Sequence, residues 1–150
     1  MSRTCPRTDA LDCGRYQHRD CLWGAIAALN GLAVLPTDMR SARSEAVVKR
    51  LSDALLGAEY DFTGEHKRWL TFGVPRAWDL LSALKALAAH GYAHDARFAP
   101  LLALVLECQD AEGRWACGSV SKTWPLEKRN QPSKWVTLDA LRVLKQAAQT

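Results

Sequence analysis

The feature that most restricts the fold is an apolar stripe of helical period that recurs along the chain. Ala28-Leu29 with Leu32, Ala83-Leu84 with Leu87, and Ala140-Leu141 with Leu144 share one pattern, offset by 55 and then 57 residues. Behind the first two stands a matching turn, Asp38-Met39-Arg40 and Asp95-Ala96-Arg97, again 57 apart. Recurrence at a fixed period marks stacked supersecondary units, each too small to bury its apolar face alone. Each unit reads as an inner helix, a short Asp-x-Arg turn and a second helix. The third has its first helix and then the chain reaches Thr150. Ala-Leu pairs also recur by chance in Leu-rich helices, so the repeated turn gives the period its weight.

Periodicity places five helices near 21–35, 42–57, 77–90, 96–109 and 137–148, with long loops at 59–76 and 110–135. Ala77, Trp78, Leu80, Leu81, Leu84, Leu87 and Ala88 follow the i, i+3, i+4, i+7 rule, and Gly91 stands where a C-terminal cap belongs. Val47, Leu51, Ala54, Leu55 and Ala58 repeat the pattern after Ser41 or Ser44 as N-cap. Leu138, Leu141, Leu144 and Ala148 form another stripe, capped by Thr137 or Ser133. The run from Cys21 to Leu35 is apolar nearly all round and reads as a central buried helix ended by Pro36. Pro100 must distort or delay the start of the fourth helix. No stretch alternates with period two, so no sheet is expected. The fold class is therefore all-α, with an irregular segment over 1–19 and a single domain over 20–150.

Composition narrows the classes further. The chain has 150 residues, 48% of them hydrophobic, and a net charge of +4, which excludes disorder as the main theme. Cys21 to Leu35 is interrupted by Gly24, Asn30 and Gly31 and is too short to span a membrane. It also has the wrong position and flanks for a secretory signal, leaving the cytoplasm as the expected compartment. Five cysteines without such a signal point to reduced thiols.

The stretch Gln109-Asp-Ala-Glu-Gly113-Arg-Trp115 fits the Gln-x-x-x-Gly-x-Trp signature of the QW repeat. It resembles the terpenoid-cyclase and protein-prenyltransferase superfamily, most of all bacterial squalene-cyclase-like proteins. Further blocks carry the likeness: Trp69-Leu-Thr-Phe72-Gly-Val-Pro75, Asp79-Leu-Leu, Gly91-Tyr-Ala-His-Asp95-Ala-Arg97, and Ser133-Lys134-Trp135-Val-Thr137-Leu with Arg142-Val-Leu. The resemblance covers roughly residues 20–146. It implies a partial α/α toroid of about two and a half helical hairpins and an isoprenoid or other lipid-like ligand. It also implies a structural part for Gln109, Gly113 and Trp115, with Gln109 bonding backbone at a helix end and Trp115 stacked over the junction to the next hairpin.

The superfamily's chemistry does not carry over. Asp-x-Asp-Asp, Asp-Asp-x-x-Asp and the zinc-holding Asp-x-Cys are all missing from the sequence. Asp79, beside Trp78 and Leu80, is the one acid placed mid-pattern, and an acid there more often caps its helix. Cys5, Cys13, His18 and Cys21 form a weak zinc candidate, because only His18-x-x-Cys21 has a tight ligand spacing. His66, His90 and His94 are scattered, and Cys108 and Cys117 bracket the QW turn as packing residues. No cofactor is expected.

Two surfaces remain. The loop from Tyr60 to Trp78 holds Tyr60, Phe62, Trp69, Phe72 and Trp78 among Lys67, Arg68 and Arg76. Aromatic walls suit an isoprenoid chain and its cationic intermediates; the plainer reading has the rings plugging hairpin junctions. Lys128, Arg129 and Lys134, beside Trp124 and Trp135, would hold a pyrophosphate or stack RNA bases, or form an ordinary solvated loop. No specific nucleic-acid signature is present. Ligand-pocket candidates are Tyr60, Trp69, Phe72, Trp78, Lys134 and Trp135. The two functions to weigh are a lipid-binding toroid without self-sufficient catalysis and a non-enzymatic repeat module that binds a protein partner. The outer side of the last stripe has nothing in the sequence to cover it, so self-association or a missing N-terminal toroid half is expected.

Overall fold

The computed structural model of the chain describes residues 21–58, 60, 69–74, 79–123 and 126–149. The chain forms two compact units, Met1–Ala58 and Glu59–Thr150, and the boundary falls inside the span read above as one domain. The segment 1–19, with Cys5, Cys13 and His18, lies outside the described residues.

In the first unit α1 (Leu22–Ala33) packs on α2 (Ala42–Leu56) across a 3-10 turn at Thr37–Met39. Ser41 caps α2 in a capping box: its hydroxyl accepts from Ser44 N at 3.2 Å, and Ser44 Oγ accepts from Ser41 N at 2.9 Å. Both serines proposed for the cap thus take part, and two of the helix's orphan N–H groups are satisfied. The buried stripe of α2 is Val48, Leu51, Ser52, Leu55 and Leu56, rotated slightly from the sequence reading. For α1 the expectation of a helix buried all round is overturned. Ala25, Ile26 and Leu29 are buried, whereas Ala27, Asn30 and Gly31 are exposed and Val34 just beyond is 82% exposed. Small residues make a helix look uniformly apolar without giving its outer side enough surface to need cover.

The second unit holds α3 (Leu80–Ala89), α4 (Phe98–Leu106) and α5 (Lys134–Ala148). Here α3 is the centre, packing against α4, the 3-10 turn Tyr92–His94 and α5, and nearly its whole length is buried. It starts at Leu80 rather than 77, because Asp79 is extended and acts as N-cap. It ends at Gly91, whose φ of +82° is the left-handed conformation a glycine adopts freely. Pro100 does delay α4: the helix starts at Phe98, which puts the proline in the first turn, where its missing N–H has no intrahelical acceptor to lose. Ser133, not Thr137, caps α5, accepting from Val136 N at 3.1 Å.

The hairpin repeat is present in the helices themselves. α3 begins 58 residues after α1 (80 − 22) and α4 begins 56 after α2 (98 − 42), each pair joined through a 3-10 turn. The Asp-x-Arg turns are not equivalent in detail. Asp95 accepts three bonds from Arg97, through its N, Nε and Nη2, and this guanidinium holds the Asp95 carboxyl down at about 2. Arg40 instead donates through Nε to Leu35 O.

The expectation of no sheet is also corrected. Strands β1 (Gly73–Val74), β2 (Ala116–Cys117), β3 (Ser119–Val120) and β4 (Gln131–Pro132) are each two residues long, and three of them lie in the last third of the chain. β1 pairs parallel with β3, and β2 antiparallel with β4. The run 116–120 is therefore stitched to the loop before α3 on one side and to the entry of α5 on the other. The fold remains mostly helical. Two-residue strands are too short to show alternation in sequence.

Gly118 sits between β2 and β3, and a Cβ there would come within 2.7 Å of Thr71 Cγ2. Gly118 N and Ser119 N both donate to Phe72 O, at 2.9 and 3.1 Å, so the two segments cannot easily part. Gly118→Ala is expected to lower stability by about 1–3 kcal/mol, the usual cost of overpacking, readable as a lower urea midpoint.

Candidate functional site

The QW segment links the end of α4 to the start of α5. Trp115 is fully buried at 0% exposure. Its indole Nε1 donates to Val105 O at 2.7 Å, one of the carbonyls that the last turn of α4 leaves without an intrahelical donor. Its own N–H donates to Thr137 Oγ1 at 3.1 Å, and its carbonyl accepts from Ser133 N at 2.8 Å. One side chain and one peptide thus hold two helix ends together. Gln109 forms a single bridge with Trp115 through the backbone, but its side chain is exposed. At the end of α4 Gln109 donates its own N–H to Leu106 O at 3.0 Å, and the Trp115 indole takes the neighbouring Val105 O.

The turn between them is closed by Asp110, a residue the motif leaves unspecified. Its Oδ1 accepts from Glu112 N and Arg114 N at 3.0 and 2.8 Å, and its Oδ2 from Arg114 Nε at 3.0 Å. Those donors, the Arg114 N–H first among them, hold the carboxyl below its ordinary range. An Asp at the start of a short loop that ends in Gly is the available signal for such a turn. Gly113 supplies a φ of +78°.

Asp79 is 2% exposed, and both its oxygens are engaged by backbone. Oδ1 accepts from Ser82 N at 2.8 Å and Oδ2 from Gly73 N at 3.0 Å, so the carboxyl caps α3 and anchors β1 to it. Burial pushes its pKa up to about 6, partly opposed by the N–H bonds of Ser82 and Gly73 and raised slightly further by Asp139. A raised pKa alone suits a general acid. The geometry does not, because the oxygens point at peptide N–H groups.

The pocket candidates do not gather into one place. Tyr60 and Trp69 meet edge to face, their ring centroids 5.0 Å apart, and burial pushes the Tyr60 hydroxyl up. Phe72 is a buried core residue. Trp78 lies outside the described residues, as does Trp124. Lys134 lies 5.4 Å from the ring of Trp135, which is 46% exposed at the start of α5. Among the described residues no group of three His, Cys, Asp or Glu is placed to hold a metal ion. Cys21 is a buried residue at the N-terminus of α1. No described helix is long and apolar enough to cross a membrane.

α5 has two apolar faces. Val136, Ala140 and Val143 are buried, while Trp135, Leu138 and Leu141 are exposed at 46, 37 and 50%. The corresponding leucines of the earlier helices, Leu29 and Leu84, are fully buried. Leu141 is where the repeat stops burying its own stripe. Searched against protein-family models, curated protein sequences and solved structures, the chain matches none.

Proposed function

We propose that the chain is a non-catalytic module of α/α hairpins, of partial-toroid type, which binds a partner protein through the exposed face of α5. The carrying observation is that α5 presents Trp135, Leu138 and Leu141 to solvent after its opposite face has been packed. Large side chains grouped on one helix surface are the ordinary material of an interface. Support for the toroid-type scaffold comes from the repeated helix, 3-10 turn, helix order, from the seating of α5 on α3, and from the buried Trp115 between α4 and α5. Support for the absence of catalysis comes from Asp79, whose two oxygens are spent on Ser82 and Gly73. The expected self-association is narrowed by charge: Lys134, Arg142 and Lys145 share this face, so an isologous pair would set like charges opposite one another.

One observation favours the second reading, an isoprenoid-type ligand: the Tyr60–Trp69 pair offers perpendicular aromatic faces. Native mass spectrometry of freshly purified protein separates the two. The chain is expected to fly without a lipid-sized adduct, and Leu138→Asp with Leu141→Asp should leave Tm within about 2 °C, since surface changes seldom exceed about 0.5 kcal/mol. A bound lipid that disappears in Trp69→Ala would overturn the first reading in favour of the second.

A further inference from the structure

The arrangement of charge on α5 says what kind of partner fits. At about 100° per residue, Leu138 lies at the middle of the exposed sector, with Trp135 and Leu141 about 60° to either side. Lys134, Lys145 and Arg142 lie between and beside them, and all three are exposed. Lys134 to Lys145 spans eleven residues, about 16 Å of helix. No acidic side chain of α5 itself falls within this sector. Asp139 stands at its edge towards α3, bonded to Lys85 at 2.8 Å and 3.6 Å from Arg142.

We infer that this face of α5 docks an acidic amphipathic helical segment of a partner protein, an inference that rests on the reading of α5 as a binding face. Arg142 is paired with Asp139 at the edge of the sector, but Lys134 and Lys145 face no acid of α5 there and ask for negative charge, which disfavours a second copy presenting the same face. The pattern also decides between a lipid surface and a protein. A helix lying in a membrane interface carries a continuous apolar face with its cations at the rim. On α5 the cations stand next to Leu138, in the middle. Sinking Trp135, Leu138 and Leu141 below anionic headgroups would drag charged side chains with them. A partner helix with acids set between its own apolar side chains meets both features at once, with leucines against Trp135 and Leu138 and carboxylates against Lys134 and Lys145. Such recognition, by anchors at helical spacing, is a common mode of peptide docking.

The test uses the full chain, followed by backbone amide NMR, against three synthetic helical peptides of identical apolar spacing. Their polar positions are all Glu, all Gln or all Lys. The Glu peptide is expected to shift Trp135, Leu138 and Leu141 and to bind at least ten-fold more tightly than the Gln peptide. Its affinity should fall with added salt, and the Lys peptide should not bind. Lys134→Glu with Lys145→Glu should invert the order. Equal binding of Glu and Gln peptides at this face, or a preference that survives the double reversal, would overturn the acidic partner while leaving α5 a binding face. Failure of every peptide to shift these residues would sink both. Vesicles of phosphatidylcholine with phosphatidylserine form a fourth arm, and shifts of α5 by vesicles in preference to the Glu peptide would assign the face to lipid. A concentration-dependent shift of the same residues without any peptide, lost in Leu138→Glu, would assign it to a second copy.

Discussion

Trp115→Ala is expected to cost about 3–5 kcal/mol of stability, the range for removing a large buried aromatic side chain. For a chain whose total stability is of order 5–15 kcal/mol, that is the difference between a folded and a marginal protein. The loss has two parts. The ring is fully buried, so its removal leaves a cavity that the ends of α4 and α5 cannot both close upon. The indole bond to Val105 O at 2.7 Å goes as well. Trp115→Phe separates the two, because it keeps most of the volume and drops only the bond. Val105 O still accepts from Cys108 N at 3.2 Å, so that variant should lose only about 1–2 kcal/mol. Urea melts of both proteins decide the matter. A loss near zero for Trp115→Ala would mean that α4 and α5 are held by something other than this side chain, and the QW turn would lose its structural meaning.

Three of the five helices, near 42–57, 77–90 and 137–148, were legible because each carries its apolar residues at a period that only a helix uses. Their starts were less so, and the reason is visible at Asp79 and Ser133. At Asp79 periodicity counts through a cap inside an apolar run, whereas after Ser133 the first turn opens on Lys134 and Trp135 and the leucine stripe begins only at Leu138, so the helix was read as starting at 137. Asp79 separates Trp78 from Leu80, so the stripe reads as starting at 77. The strands were illegible because each has only two residues and is made by long-range pairing, Gly73 with Ser119 and Cys117 with Gln131. Gln109, Gly113 and Trp115 identified a turn, but the roles inside it fell differently. The side chain that reaches a helix-end carbonyl is the buried indole of Trp115, whereas Gln109 is exposed and reaches Leu106 O through its backbone N–H. The aromatic residues named as pocket candidates separate for the same reason: nothing in their spacing distinguishes the core ring of Phe72 from the surface ring of Trp135. The face of α5 that packs was misread: the stripe through Leu138, Leu141, Leu144 and Ala148 stood out in the sequence, but Val136, Ala140 and Val143 are the buried residues. Two apolar stripes lie on this helix, and the larger leucine side chains hid the smaller set that packs.

Between pH 4 and 7 the protein should lose stability relative to Asp79→Asn, by up to about 3 kcal/mol. The native carboxyl titrates at about 6 against an ordinary value of 3.8, a separation worth about 3 kcal/mol at about 1.4 kcal/mol per pH unit. Because the folded value is the higher one, the native state holds its proton more tightly than the unfolded chain does. The contribution is fully present below about pH 4 and is lost as pH rises through about 6. Asn keeps a carbonyl oxygen for the Ser82 N–H and so keeps the cap. It cannot titrate, and the amide turned to Gly73 offers a donor where the carboxylate accepted. The substitution therefore costs one hydrogen bond at every pH and removes the pH-dependent part. Asp95 and Asp110 act in the opposite direction, since their lowered values make stability fall as pH drops, but they are common to both proteins and cancel in the difference. Urea melts of the two proteins at pH 4.5, 6 and 7.5 give that difference directly. A flat difference would show that the Ser82 and Gly73 N–H groups offset the burial of Asp79 in full, and a rise with pH would show that they exceed it.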